Sequence, residues 1–174
     1  KVDNSPNDYV YPERADFTFY GGIYRDVYLI ETDDVHFPLL SNGGPGVKVY
    51  TQVEDGVGVL SFSSECNGDE CVLEIGGDEY HFPVINGVLE GSVRIESVHL
   101  WDGKRDPYLY PLTFSLLSKG EIRDQISLKV GFRTIEIFPD KGFYLNGRSY
   151  PLRGVSRHQD REGKGNAIDK SDMM

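Results

Sequence analysis

The chain has 174 residues, 39 % of them hydrophobic, a formal net charge of −10 and an isoelectric point near 4.8. That length and apolar content suit one well-buried core with additions rather than two large domains. A surface this acidic, without a lysine- or arginine-rich run, repels phosphate backbones and anionic lipid, and no apolar stretch approaches the roughly 20 residues needed to cross a bilayer, so neither nucleic acid nor membrane is expected as a partner.

Residues 1–22, KVDNSPNDYVYPERADFTFYGG, contain Pro6 and Pro12 and read as a loop leaving another module. Asp16 within it, between Ala15 and Phe17, reads as a turn residue or as a ligand for a cation or hydroxyl, and the turn is the plainer reading. The chain opens on Lys1 rather than methionine, so a targeting peptide is expected upstream if one exists, and a cytoplasmic location is the working expectation.

Beyond residue 22 the texture changes. Turn signals recur at Asp55-Gly56, Asn67-Gly68, Gly76-Gly77, Asn86-Gly87, Asp102-Gly103, Lys119-Gly120, Lys141-Gly142 and Asn146-Gly147. The segments between them alternate with period two, as half-buried strands do because successive side chains point to opposite faces. Val47, Val49, Thr51 and Val53 share one parity, as do Ile122, Ile126, Leu128, Val130 and Phe132. About seven such strands between residues 24 and 138 predict an all-β fold, an immunoglobulin-like antiparallel β-sandwich.

Cys66 and Cys71 flank a turn-like Asn67-Gly68-Asp69-Glu70 loop. Two cysteines in this length do not make a disulfide scaffold, and free thiols are expected, with a local bridge as the alternative. Trp101 lies in HLWDGKRDPYLYPL, where Pro107 and Pro111 rule out a central strand through most of the stretch, so the ring is expected to pack at an inter-strand corner.

Near the C-terminal end, FYLNGRSYPLRGV forms a short hairpin leading to an apolar run, followed by SRHQDREGKGNAI and by DKSDMM, where an aspartate or serine N-cap begins a helix. Strand, polar loop and helix start make the beginning of a β/α unit, whose strand-end loops are where ligands bind in such architectures. His158 can donate and accept hydrogen bonds there near neutral pH; on these residues alone it is equally a solvated loop histidine. No G-x-S-x-G, H-E-x-x-H, phosphate-cradling glycine loop or Cys-x-x-Cys pair occurs, and no carboxylate pair is placed for glycosidic hydrolysis.

Three stretches, DFTFYGGIYRDVYLI, LWDGKRDPYLYPL, and GFRTIEI with FYLNGRSYPLRGVSRHQD, occur in an order and spacing that closely resembles the β-galactosidases of glycoside hydrolase family 2. The resemblance implies that residues 1–22 are the tail of a jelly-roll sugar-binding domain, 23–137 the whole immunoglobulin-like domain, and 138–174 the start of a TIM barrel. It implies retaining hydrolysis of terminal β-galactosides by two glutamates on later barrel strands, so none of these residues is catalytic and the fragment alone is inactive. Asp16 and His158 match the family's substrate-binding aspartate and histidine, Asp16 also matching a sodium ligand. The fragment requires no cofactor by this reading, while the full enzyme uses sodium and magnesium. The implied partners are the remainder of the same polypeptide and a β-galactoside, with a homo-oligomer as a further expectation.

The sequence departs from the family's common pattern at Ser156 and Gln159. β-Glucuronidases and β-mannosidases share the three-domain core and are the alternative substrate classes, although DFTFYGGIYRDV favours the β-galactosidases. A non-catalytic carbohydrate-binding or adhesion sandwich is the alternative from outside enzymology. Arg25, Asp26 and Arg133 are expected to make inter-domain salt bridges rather than touch substrate.

Overall fold

The computed structural model describes residues 2–3, 5, 9, 20–39, 41, 43–157 and 159–173. The chain divides into two compact units, one of Glu31–Leu152 and the other of Lys1–Ile30 with Arg153–Met174.

The larger unit is built from seven antiparallel strands, β1 Lys48–Glu54, β2 Val57–Glu65, β3 Glu70–Ile75, β4 Asp78–Pro83, β5 Val88–Ile95, β6 Tyr110–Ser118 and β7 Glu121–Val130. They form two sheets, ordered β1-β2-β5 and β4-β3-β6-β7, the arrangement of an immunoglobulin-like sandwich. The hairpins close on two-residue turns in which both residues have positive φ, as at Asp55 and Gly56 with φ of 50° and 81°. Such a turn matches the right-handed twist of the strands it joins, and glycine enters it without steric cost.

Alternation carries the core. Leu60 and Phe62 of β2, Leu89 and Val93 of β5, Leu73 and Ile75 of β3, and Leu112, Phe114 and Leu116 of β6 are buried on the facing sides of the two sheets. Phe62 meets Phe114 across the sandwich edge to face at 5.1 Å between ring centres. Each such side chain contributes about 1.5–3 kcal/mol by leaving water. At the start of β6 the buried Tyr110 accepts a hydrogen bond from the His99 N–H at 2.9 Å, tying the β5–β6 crossover to the sheet beneath it.

Two expectations are corrected here. Ile122 is 57 % exposed rather than inward. A bulge sets Leu116 opposite Asp124 but Leu117 opposite Ile122, leaving Arg123 as the extra residue and moving Ile122 to the solvent face. Asp124 takes the inward parity and uses it, accepting the Phe37 N–H at 2.8 Å. Pro111 lies inside a central strand, paired with Lys129 of β7. It is tolerated because the pairing of β6 with β3 begins one residue later, at Leu112.

Three short strands follow, β8 Ile135–Phe138, β9 Gly142–Leu145 and β10 Arg148–Ser149, in a meander of their own. This small sheet is held to the sandwich loop around Trp101. The Asn146 amide donates to the Trp101 carbonyl at 3.1 Å while its oxygen accepts the Thr134 N–H at 3.0 Å. Trp101 itself is half-buried, donates its backbone N–H to the Phe132 carbonyl at 2.8 Å, and carries the Arg133 guanidinium 5.3 Å above its ring. Arg133 therefore stacks on an aromatic ring of the sandwich. Cys66 and Cys71 are both buried free thiols.

Candidate functional site

The two predicted substrate contacts, Asp16 and His158, lie outside the described residues, and so does any sodium site built on Asp16. Residues 20–30 and 159–173, further along the chain from each, are described, and they meet. The Arg25 guanidinium donates to the Asn166 carbonyl at 2.5 Å, a contact spanning 141 positions of sequence. Gly165 sits so close to Tyr20 that a Cβ there would lie 2.8 Å from the ring. The smaller unit is thus formed by the stretch after Asp16 pairing with the loop after His158.

That loop is shaped by its sequence. Residues 161–165, REGKG, close a tight turn in which Arg161 and Gly165 exchange backbone hydrogen bonds of 3.1 and 2.8 Å. Gly165 has φ of +54°, a left-handed conformation that glycine adopts freely. The chain then enters a 3₁₀ turn, Lys170–Met173, capped by the Asp169 carboxylate, which accepts the Ser171 N–H at 2.7 Å. The aspartate cap read from DKSD is present, at the head of a single turn.

Asp172 organises the segment. Its side chain is only 3 % exposed and accepts from Arg161 at 2.5 Å, from Lys164 at 2.8 Å and from the Asp169 N–H at 2.9 Å. The Lys164 ammonium first, then the Asp169 N–H and the Arg161 guanidinium, hold this carboxyl down to a pKa of about 2. A carboxylate so committed stays ionised near neutral pH and positions the loop; it has no proton to give to a substrate. Asp172 was not anticipated from sequence, where it is one of many acids and nothing marks its partners.

The remaining motif residues are placed less dramatically. Asp26 accepts the Tyr28 hydroxyl at 2.8 Å, and Arg25 also lies 4.8 Å over the Tyr24 ring; both contacts are local, not ionic. Among the described histidines, His81 pairs with Glu70 and His99 with Asp106, each at 2.6 Å, on the exposed surface of the sandwich. No cluster of three or more His, Cys, Asp or Glu side chains able to hold a metal ion occurs among the described residues.

Residues 33–133 match the family model of glycosyl hydrolases family 2. Over 97 % of its length the chain is 33 % identical to a β-glucuronidase of Bacteroides fragilis, covering 27 % of that protein. It is 30 % identical over 91 % of its length to a β-galactosidase of Thermoanaerobacter pseudethanolicus, covering 22 % of that one. Among solved structures, an FMN-binding β-glucuronidase from Facaelibacterium prausnitzii superposes with a TM-score of 0.85 at 36 % identity, over 98 % of this chain and 28 % of that one. The chain spans about a quarter of the length of the relatives it matches.

Proposed function

The chain belongs to the family 2 glycosyl hydrolases, and from that premise we propose that it is the central portion of a retaining glycosidase that removes a terminal β-linked sugar. In this reading residues 1–22 end a sugar-binding domain, 23–137 form the sandwich that positions its neighbours, and 138–174 open a catalytic barrel. Asp16 and His158 are the two groups that this stretch contributes to the substrate pocket, and the acid/base and nucleophilic carboxylates belong to later residues of the same polypeptide. The observation that carries the reading is the Arg25–Asn166 hydrogen bond. It draws the stretch after Asp16 to the loop after His158, as a pocket shared by both requires.

The sugar we propose is a β-glucuronide. The motif DFTFYGGIYRDV favours β-galactosides, but the Bacteroides fragilis and Facaelibacterium relatives, at 33 % and 36 % identity, are both β-glucuronidases. A β-galactoside is the second reading, supported by the Thermoanaerobacter relative. Assay of the complete protein with 4-nitrophenyl β-D-glucuronide and β-D-galactoside decides between them. The glucuronide is expected to give the higher kcat/KM; the reverse order selects the second reading, and hydrolysis of neither rejects both. Asp16→Ala and His158→Ala should each lower kcat/KM by about a hundredfold on the preferred substrate.

A further inference from the structure

The outer face of the β1-β2-β5 sheet has an organisation that the hydrolytic reading does not use. Strand register places its outward residues in rows: Lys48, Ser63 and Glu90; then Tyr50, Ser61 and Ser92; then Gln52, Val59 and Arg94. In the middle row the aromatic ring has only two serines beside it, and Tyr50 is 63 % exposed. Beside this row the sheet is bordered by a groove of about 450 Å³, lined among the described residues by Pro38, Ser41, Lys48, Ser63, Glu65 and Glu90. That volume lies in the range of ligand clefts.

The groove is held open by backbone. Gly46 has φ of +90°, and a Cβ there would lie 2.6 Å from the Pro38 carbonyl oxygen, so the close approach of Gly46 to Pro38 at the rim of the groove requires glycine. The buried Ser64 hydroxyl fastens it, donating to the Gly46 carbonyl at 2.7 Å. Charged groups on this surface elsewhere find each other, as Arg94 and Glu54 do at 4.0 Å. The side chains of Lys48, Glu65 and Glu90 make no ion pair or hydrogen bond among the described residues although all three border one groove.

We propose that this face binds neutral oligosaccharide, with the Tyr50 ring as a stacking platform and Glu90, Glu65, Lys48 and Ser63 as partners for sugar hydroxyls. An amphipathic aromatic suits the apolar face of a pyranose, and a carboxylate accepts from two adjacent hydroxyls at once. Two carboxylates against one ammonium leave the groove net negative, which repels uronate and selects uncharged sugars. The site therefore engages a neutral portion of a glycan, whichever terminal sugar the enzyme hydrolyses.

Titration calorimetry on the complete protein tests this with cellotetraose and xylotetraose as neutral probes and tetragalacturonate as the anionic one. At least one neutral probe should bind saturably, Tyr50→Ala should weaken that binding about tenfold, and Glu90→Gln should weaken it as well. Hydrolysis of the small 4-nitrophenyl glycoside should be unchanged in both variants, which keeps this test separate from the assignment of the reaction. Equal affinity of wild type and Tyr50→Ala, tighter binding of tetragalacturonate through Tyr50, or no saturable binding of either neutral probe overturns the proposal.

Discussion

The Arg148 guanidinium donates to the Asp102 carboxylate at 2.5 Å, joining the last strand of the small sheet to the sandwich loop that carries Trp101. The Asp102 side chain is 14 % exposed and Arg148 54 %, so the pair is anchored at one end and solvated at the other. Asp102→Ala leaves Arg148 and the Asn146 amide without this acceptor and is expected to lower stability by about 1–2 kcal/mol. Denaturant unfolding measures the loss, and proteolysis should cut first within residues 135–149. Arg148→Ala should cost less, because Asp102 keeps the Arg105 guanidinium at 3.8 Å and the Asn146 amide at 3.5 Å as partners.

Gly91→Ala should be the more damaging single-methyl change. A Cβ at residue 91 would lie 2.5 Å from the Phe62 ring and 2.6 Å from the Phe82 ring, which pack edge to face at 4.9 Å. The rings must separate, at a cost of about 1–3 kcal/mol. The midpoint of thermal or urea unfolding should fall, and Phe82→Leu in the same chain should recover part of the loss by making room.

The turn around Asp172 should be sensitive to acid. Its carboxyl is held below the ordinary value of 3.8, at about 2, by Lys164, the Asp169 N–H and Arg161. A lowered folded-state pKa gives stabilisation that is complete above the unfolded value and is lost as pH falls through the folded one. The window is therefore about pH 4 down to about pH 2. Carboxyl NMR shifts should place the Asp172 midpoint near the bottom of that window, and amide exchange across residues 161–172 should accelerate over it. Asp172→Asn should show the fast exchange already at neutral pH.

The cysteines should be silent to thiol reagents while the protein is folded. Burial first, then the charges of Cys66 and Glu70, push Cys71 up to about 12, and burial raises Cys66 as well. At pH 8 almost no thiolate forms on Cys71, and the thiolate is the reactive species. Mass spectrometry after iodoacetamide treatment should find neither residue modified in buffer and both modified in denaturant.

Most of the sandwich was legible because its signals are local. Asp55-Gly56 and Asn146-Gly147 announce their turns in two residues, and the alternation of Val49, Thr51 and Val53 states which side of β1 faces inward. Reading failed where a neighbour decided. Ile122 follows the inward parity of its own strand, yet the bulge opposite Leu116 turns it outward. Pro111 looks like a strand breaker until the overhang of β6 beyond β3 is known. Of the substrate-side residues, Asp16 and His158 were legible only through their motifs.

The sequence by itself determined the class of the fold, the approximate number of its strands and the family, since period, turn chemistry and motif order are properties of consecutive residues. Tertiary structure alone decided which distant residues share a surface. It set Arg25 against Asn166, closed Asp172 around two cations, and aligned Tyr50 with Ser61 and Ser92. The physical reason is register: a strand's pattern states which face a residue takes, but its neighbour on that face depends on how two segments far apart in the chain slide into place.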